Sequence, residues 1–185
     1  MKRLMIVALL SLCAPAAAFA GPYDDYKQLT DAEKRLVLFY FWQVSRVRSA
    51  ATFAQQSSTA TYPGLSGLDD QRDALRHSTW NGCMTSALDS RDAAKRWADA
   101  HEAIPSNPAQ RKAMDLGNNR SGRDATWGQR SVSGPWWRRK VTYPANTAIA
   151  ATQKGAVETG RLVMIEAVNG VRDPHAGRLV PTTRP

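Results

Sequence analysis

Cysteine is nearly absent from this chain: of 185 residues only Cys13 and Cys83 carry a thiol. Cys13 falls in an opening segment with the composition of a secretory signal peptide. Lys2 and Arg3 precede an apolar run from Leu4 to Pro15, and small residues end it at Ala18-Phe19-Ala20. Cleavage after Ala20 would leave Cys83 alone, which excludes an internal disulfide in an oxidising compartment and predicts a buried small hydrophobe. Leu12 stands where a lipoprotein signal needs a small residue, which argues against a lipid anchor at Cys13. The apolar run is too short to span a bilayer. The expectation is a soluble periplasmic or secreted protein.

Other absences narrow the function. There is no Gly-x-Ser-x-Gly elbow, no His-Glu-x-x-His helix, no Walker loop and no catalytic-cysteine signature. Internal repeats and nucleic-acid motifs are also missing, so no nucleic acid is expected as a partner. Acidic residues are the minority. Without Lys2 and Arg3 the chain has 23 basic against 16 acidic residues, a net charge of +7. Such an excess suits an anionic envelope molecule or membrane surface, or serves solubility alone.

Strand-like alternation is lacking, whereas helical spacing recurs, so the predicted fold is all-α: a single domain over 21–179, a flexible tail over 180–185 and about five helices. Thr30-Asp31-Ala32-Glu33 has capping-box spacing and opens a helix running to about Phe53, with Leu36, Phe39, Tyr40, Val44 and Val47 as its stripe. A second helix is predicted from Leu68 or Asp69 to about Leu88, and a third, capped by Ser90, from Arg91 to Ala103. A fourth is capped by Asn107, starts at Pro108 and runs out near Asn119. A Gly/Trp/Arg-rich loop from Ser121 to Pro144 precedes a last helix from Ala145 to about Asn169. In that loop Trp136-Trp137-Arg138-Arg139-Lys140 is expected to pack one Trp inward and leave the bases in solvent.

What is present is concentrated in two stretches, Asp73 to Asn81, and Asp99 to Glu102 followed by Met114 to Arg123, which hold two of the three histidines. Asp73 and His77 are four apart and share a helix face, with Arg76 and Trp80 flanking them. The aspartate either orients the imidazole as a base or joins it on a cation. His101-Glu102 lies at a helix end, where a histidine also suits the dipole. Asp115 with Asn118 and Asn119 offers oxygen ligands for a hard cation, although either asparagine also suits a helix cap. Arg120 and Arg123 offer forked donors to a phosphate or carboxylate. His175, in a turn near the end, is predicted at the surface.

At these residues the chain resembles a little-characterised family of bacterial exported and toxin-associated helical domains. The shared pattern is Asp-Ala-x-Arg-His, Trp-Asn, Ala-His-Glu and Met-Asp-x-x-Asn-Asn-x-x-Gly-Arg. Asp73, Arg76, His77, Trp80, Asn81, His101, Glu102, Asp115, Asn118, Asn119, Gly122 and Arg123 match it. The resemblance implies a shared polar site. Arg76-His77 is also similar to the His-bearing helix of small bacterial phospholipases A2, but Ser78 stands where those enzymes have aspartate, and no stapling disulfide can form.

The expected function is an exported hydrolase of phosphoric or carboxylic esters, acting on a phospholipid or a lipid-linked cell-wall precursor. Its expected catalytic residues are His77, Asp73, His101 and Glu102. Arg76, Asn118, Arg123 and Trp80 are expected to bind substrate, and Asp115, Glu102 and Asp73 to hold a divalent cation, calcium or zinc. The alternatives are a non-enzymatic module with a buried polar network or structural calcium, and an antibacterial effector.

Overall fold

The computed structural model describes residues 28–184, so the predicted signal peptide lies outside the described residues. Among the described residues six α-helices carry the fold: α1 Asp31–Phe39, α2 Val44–Thr61, α3 Gln71–Leu88, α4 Arg91–His101, α5 Ala109–Gly128 and α6 Asn146–Glu158. Three small antiparallel pairs accompany them. β1 (Ser131–Ser133) pairs with β2 (Lys140–Thr142), β3 (Val163–Ile165) with β6 (Leu179–Pro181), and β4 (Ala167–Val168) with β5 (Val171–Arg172). The fold is therefore predominantly helical but not all-α.

α3 is the axis of the molecule. Every residue from Asp73 to Thr85 is buried, because α2, α4, α5 and α6 all pack on it, most extensively α5. Its apolar positions enter two cores. Trp80, Cys83 and Met84 meet Val47, Ala51 and Ala54 of α2, Trp97 of α4 and Ile149 of α6; Ala74 and Leu75 meet Ala156, Val157 and Leu162. Small residues along α2 and α4 let these helices approach closely, and the buried Cys83 fits the small-hydrophobe reading.

The helix starts follow the predicted chemistry more closely than the ends. Thr30 and Glu33 form the reciprocal capping box, and Ser90 accepts from Ala93 N at 3.1 Å. The long first helix is instead broken: α1 stops at Phe39, a 3-10 turn over Phe41–Gln43 intervenes, and α2 continues through the polar 55–61 segment. The break resets the apolar phase, leaving Val37 and Val47 buried but Phe39 exposed. Asn107 does not cap α5; its side chain turns to Glu102. α5 runs past Asn119 to Gly128, because Gly122 serves close packing against α3 and not termination.

The last helix ends well before Asn169. Gly160, at φ +69°, takes the left-handed position of a Schellman motif, with Gly160 N bonded to Val157 O and Arg161 N to Ala156 O. The β-branched and apolar run Val163-Met164-Ile165 then forms β3. The 180–185 segment is likewise no loose tail where it is described. Val180 is buried against Met164, and Thr182 donates to Val157 O at 2.6 Å. The 131–142 hairpin exposes both Trp136 (80%) and Trp137 (71%), so neither ring packs inward; they stack edge-to-face on each other.

Candidate functional site

Three helices aim their polar faces at one cleft of about 230 Å³. It is lined by Asp73, Arg76 and His77 of α3, His101 and Glu102 at the end of α4, and Asp115 and Arg111 of α5. The segment between α4 and α5 contributes Asn107. Leu68 and Ile104 line the cleft while remaining exposed, so a polar floor is rimmed by apolar side chains. All four residues expected to be catalytic, and Asp115 with them, are thus brought together. Arg76 is there too.

His77 is the buried centre. Its Nε2 lies 3.4 Å from Asp73 Oδ1 and 3.4 Å from Asp115 Oδ1, and accepts from Arg76 Nη2 at 3.1 Å. Because a guanidinium can only donate, Nε2 is the lone-pair nitrogen and the ring proton sits on Nδ1. Nδ1 faces Asn119 Oδ1 at 3.3 Å and Glu102 Oε1 at 3.6 Å. Behind it runs an oriented relay: Arg123 Nη1 donates to Asn81 Oδ1 at 2.8 Å, and Asn81 Nδ2 donates to Asn119 Oδ1 at 2.5 Å. The relay fixes which face of the Asn119 amide meets the histidine.

Burial sets the protonation pattern. It lowers His77 well below the usual imidazole range, reinforced by Arg76 and His101. It raises Asp115 well above the usual carboxyl range, reinforced by Asp73 and Glu102, and raises Glu102 in the same direction. The floor therefore combines an imidazole that resists protonation with two carboxyls, Asp115 and Glu102, that hold protons more tightly than in water.

His101 is held differently. Its Nδ1 lies 3.0 Å from Oε1 of the buried Glu33, whose Oε2 accepts from Thr30 N at 2.8 Å. Trp80 packs edge-on against the ring at 5.3 Å between centroids. Glu33 was visible in the sequence only as a capping residue; its partner lies 68 positions away, so no local spacing announces the pair. Arg111 is the other residue missed. It grips Asp69 through two bonds of 2.8 and 2.6 Å, and Asp69, in a left-handed turn at φ +60°, donates its N–H to Asp73 Oδ2 at 2.8 Å.

Three residues expected to bind substrate do not line the cleft. Asn118 points away from the cleft: its amide donates to Val163 O at 2.8 Å and accepts from Val163 N at 3.0 Å, locking α5 to β3. One helical step of about 100° separates it from Asn119, which alone faces the histidine. Arg123 stands behind the site on Asn81, and Trp80 is buried behind His101. The expected cation trio of Asp115, Glu102 and Asp73 is also regrouped, since the three donors that converge belong to Asp73, His77 and Asp115. His175 is exposed, as predicted.

Fold and site together define a small, mostly helical domain whose buried central helix presents a histidine and carboxylate cleft. Residues 34–154 match the family described as a domain of unknown function (DUF6973), and the chain belongs to that family. The matched span holds every residue of the cleft from Leu68 to Asp115; Glu33 lies one position before it. No curated protein and no solved structure matches the chain.

Proposed function

We propose that this protein is an exported hydrolase that cleaves an ester in the polar head of an envelope amphiphile, a phospholipid or a lipid-linked cell-wall precursor. The observation that carries the reading is the His101–Glu33 pair at the wall of a cleft floored by His77, Asp73, Glu102 and Asp115. Because Nδ1 of His101 is engaged by Glu33 Oε1, Nε2 is the ring nitrogen left to accept a proton from water. His77 is unsuited to that task, since both its nitrogens are engaged and it is buried. Its part is to organise the carboxyls, among which Glu102, whose hold on its proton burial strengthens, faces the cleft as a donor to a leaving group. Arg76 and Arg111 supply positive charge where an anionic head would enter.

The dimensions favour an amphiphile. A cleft of about 230 Å³ admits a head group and not a folded polymer, and the exposed Leu68 and Ile104 offer an apolar rim for the attached chain. The test is turnover of phospholipid and of lipid-linked wall precursor by the wild-type chain, His101→Ala and Glu33→Gln. His101→Ala should lose about 10²–10⁴-fold in rate, the usual worth of a positioned base. Full activity in His101→Ala ends the reading, as does the absence of turnover of either substrate by the wild-type chain. A structural module is favoured by one observation, the Arg123–Asn81–Asn119–His77 relay; it would show a lower melting temperature in Asn81→Leu with no turnover in any variant.

A further inference from the structure

We propose that Asp73, His77 and Asp115 form a binding site for one divalent transition-metal ion, with zinc the best match. This does not rest on the hydrolase reading. The three donor atoms lie within 4.8 Å of one another, and both distances from His77 Nε2 to the carboxylate oxygens are 3.4 Å. Ligand atoms bonded to tetrahedral zinc at about 2.0–2.1 Å stand about 3.3–3.4 Å apart, so two of the three separations already have the bound value.

The surroundings point the same way. Nδ1 carries the ring proton and Nε2 the lone pair aimed at the carboxylates, which is the tautomer a metal requires. The partner of Nδ1 is Asn119, held in turn by Asn81 and Arg123; an outer shell of this kind orients ligating histidines. Asp115 is only 4% exposed, and its Oδ1, the atom facing Nε2, has no hydrogen-bond partner. A buried carboxylate oxygen left in this way calls for a cation. Arg76 now donates to both His77 Nε2 and Asp73 Oδ1, so zinc would exchange one cation for another on the same atoms. The imidazole in the set favours zinc over calcium, which takes six to eight oxygens.

The experiment uses the chelator-treated full chain, titrated with zinc chloride by calorimetry and with cobalt(II) chloride by visible absorption. The expected result is one zinc per chain, an intense tetrahedral cobalt spectrum and a melting temperature that rises with zinc. Asp115→Asn and His77→Gln should each weaken zinc by more than about 100-fold, because loss of an outer-shell partner alone costs about 10–100-fold. Asn119→Ala should weaken it by about that smaller factor and shift the cobalt bands. Should a ligand variant fail to fold, the wild-type stoichiometry and the Asn119→Ala spectrum decide. Absence of stoichiometric zinc in the wild-type chain overturns the proposal and leaves Arg76 as the resident cation. So does a zinc site unchanged in both ligand variants, or tighter binding of calcium than of zinc. None of these readouts uses turnover, so failure here and failure of the hydrolase reading are separate results.

Discussion

Two glycines of α5 should respond in opposite directions to the same substitution. A Cβ built on Gly122 would meet Ser78 O at 1.9 Å, with the Ser78 carbonyl carbon and Cα at 2.7 and 2.9 Å. All three are backbone atoms of α3, so no side chain can swing aside, and the helices must part by about 1.5 Å to restore ordinary contact. Alanine gains about 1 kcal/mol over glycine from helix propensity. Overpacking costs about 1–3 kcal/mol or more and belongs at the upper end here. Gly122→Ala should therefore lose about 2 kcal/mol net, a melting temperature about 4–8 °C lower for a domain of this size. A Cβ on Gly117 meets only Val163 Cγ2, at 3.9 Å, so Gly117→Ala should keep its propensity gain and melt about 2–4 °C higher. Thermal and urea unfolding followed by circular dichroism measure both. A Gly122→Ala protein that melts with or above the wild-type chain would refute the close approach of α3 and α5. Because His77 adjoins Ser78, the same variant should also pull the imidazole from Asn119 and Asp115 and lower the proposed turnover more than Gly117→Ala does.

Two further outcomes follow from the surface and the core. The exposed 131–142 hairpin carries Trp136 and Trp137 beside Arg138, Arg139 and Lys140, all in solvent. Replacing those three bases by Gln should weaken sedimentation with anionic phospholipid vesicles by about 100-fold, at about 1 kcal/mol per charge, and leave binding to zwitterionic vesicles unchanged. Equal binding to anionic vesicles would exclude the hairpin as a membrane contact. Burial pushes the Cys83 thiol up to about 12, so at pH 8 only about one in 10⁴ is thiolate. A thiol reagent should leave Cys83 unlabelled in the native protein at pH 8 and label it on unfolding, whereas rapid native labelling would contradict its burial.

Local chemistry made half of the site legible. Asp73 and His77 meet because four residues make one helical turn, and Thr30, Glu33 and Ser90 mark helix starts through bonds three residues long. Legibility fails where the partner is distant. Glu33 reaches His101 across 68 positions, and Arg111 reaches Asp69 across 42. Asn118 and Asn119 are chemically alike, and only the direction of α5 decides that one meets a strand and the other a histidine. Val163 and Ala167 happened to continue the three-and-four spacing of α6, and strands of two or three residues are too short to show alternation against it.

The Asn118 amide has one more effect. β3 is a strand with a partner on one side only, and an open edge of that kind is a template on which another chain can add. Here the vacant edge is closed group by group. Asn118 takes both Val163 N–H and Val163 C=O, Ile165 N–H goes to Asp69 O at 3.0 Å, and Arg172 covers Ile165 C=O. A side-chain amide has the same donor and acceptor as a peptide, so Asn118 imitates one residue of the missing neighbour. The molecule thus refuses strand addition along the open edge of β3, a strand that carries no proline of its own, and Asn118→Leu should aggregate faster on refolding than the wild-type chain.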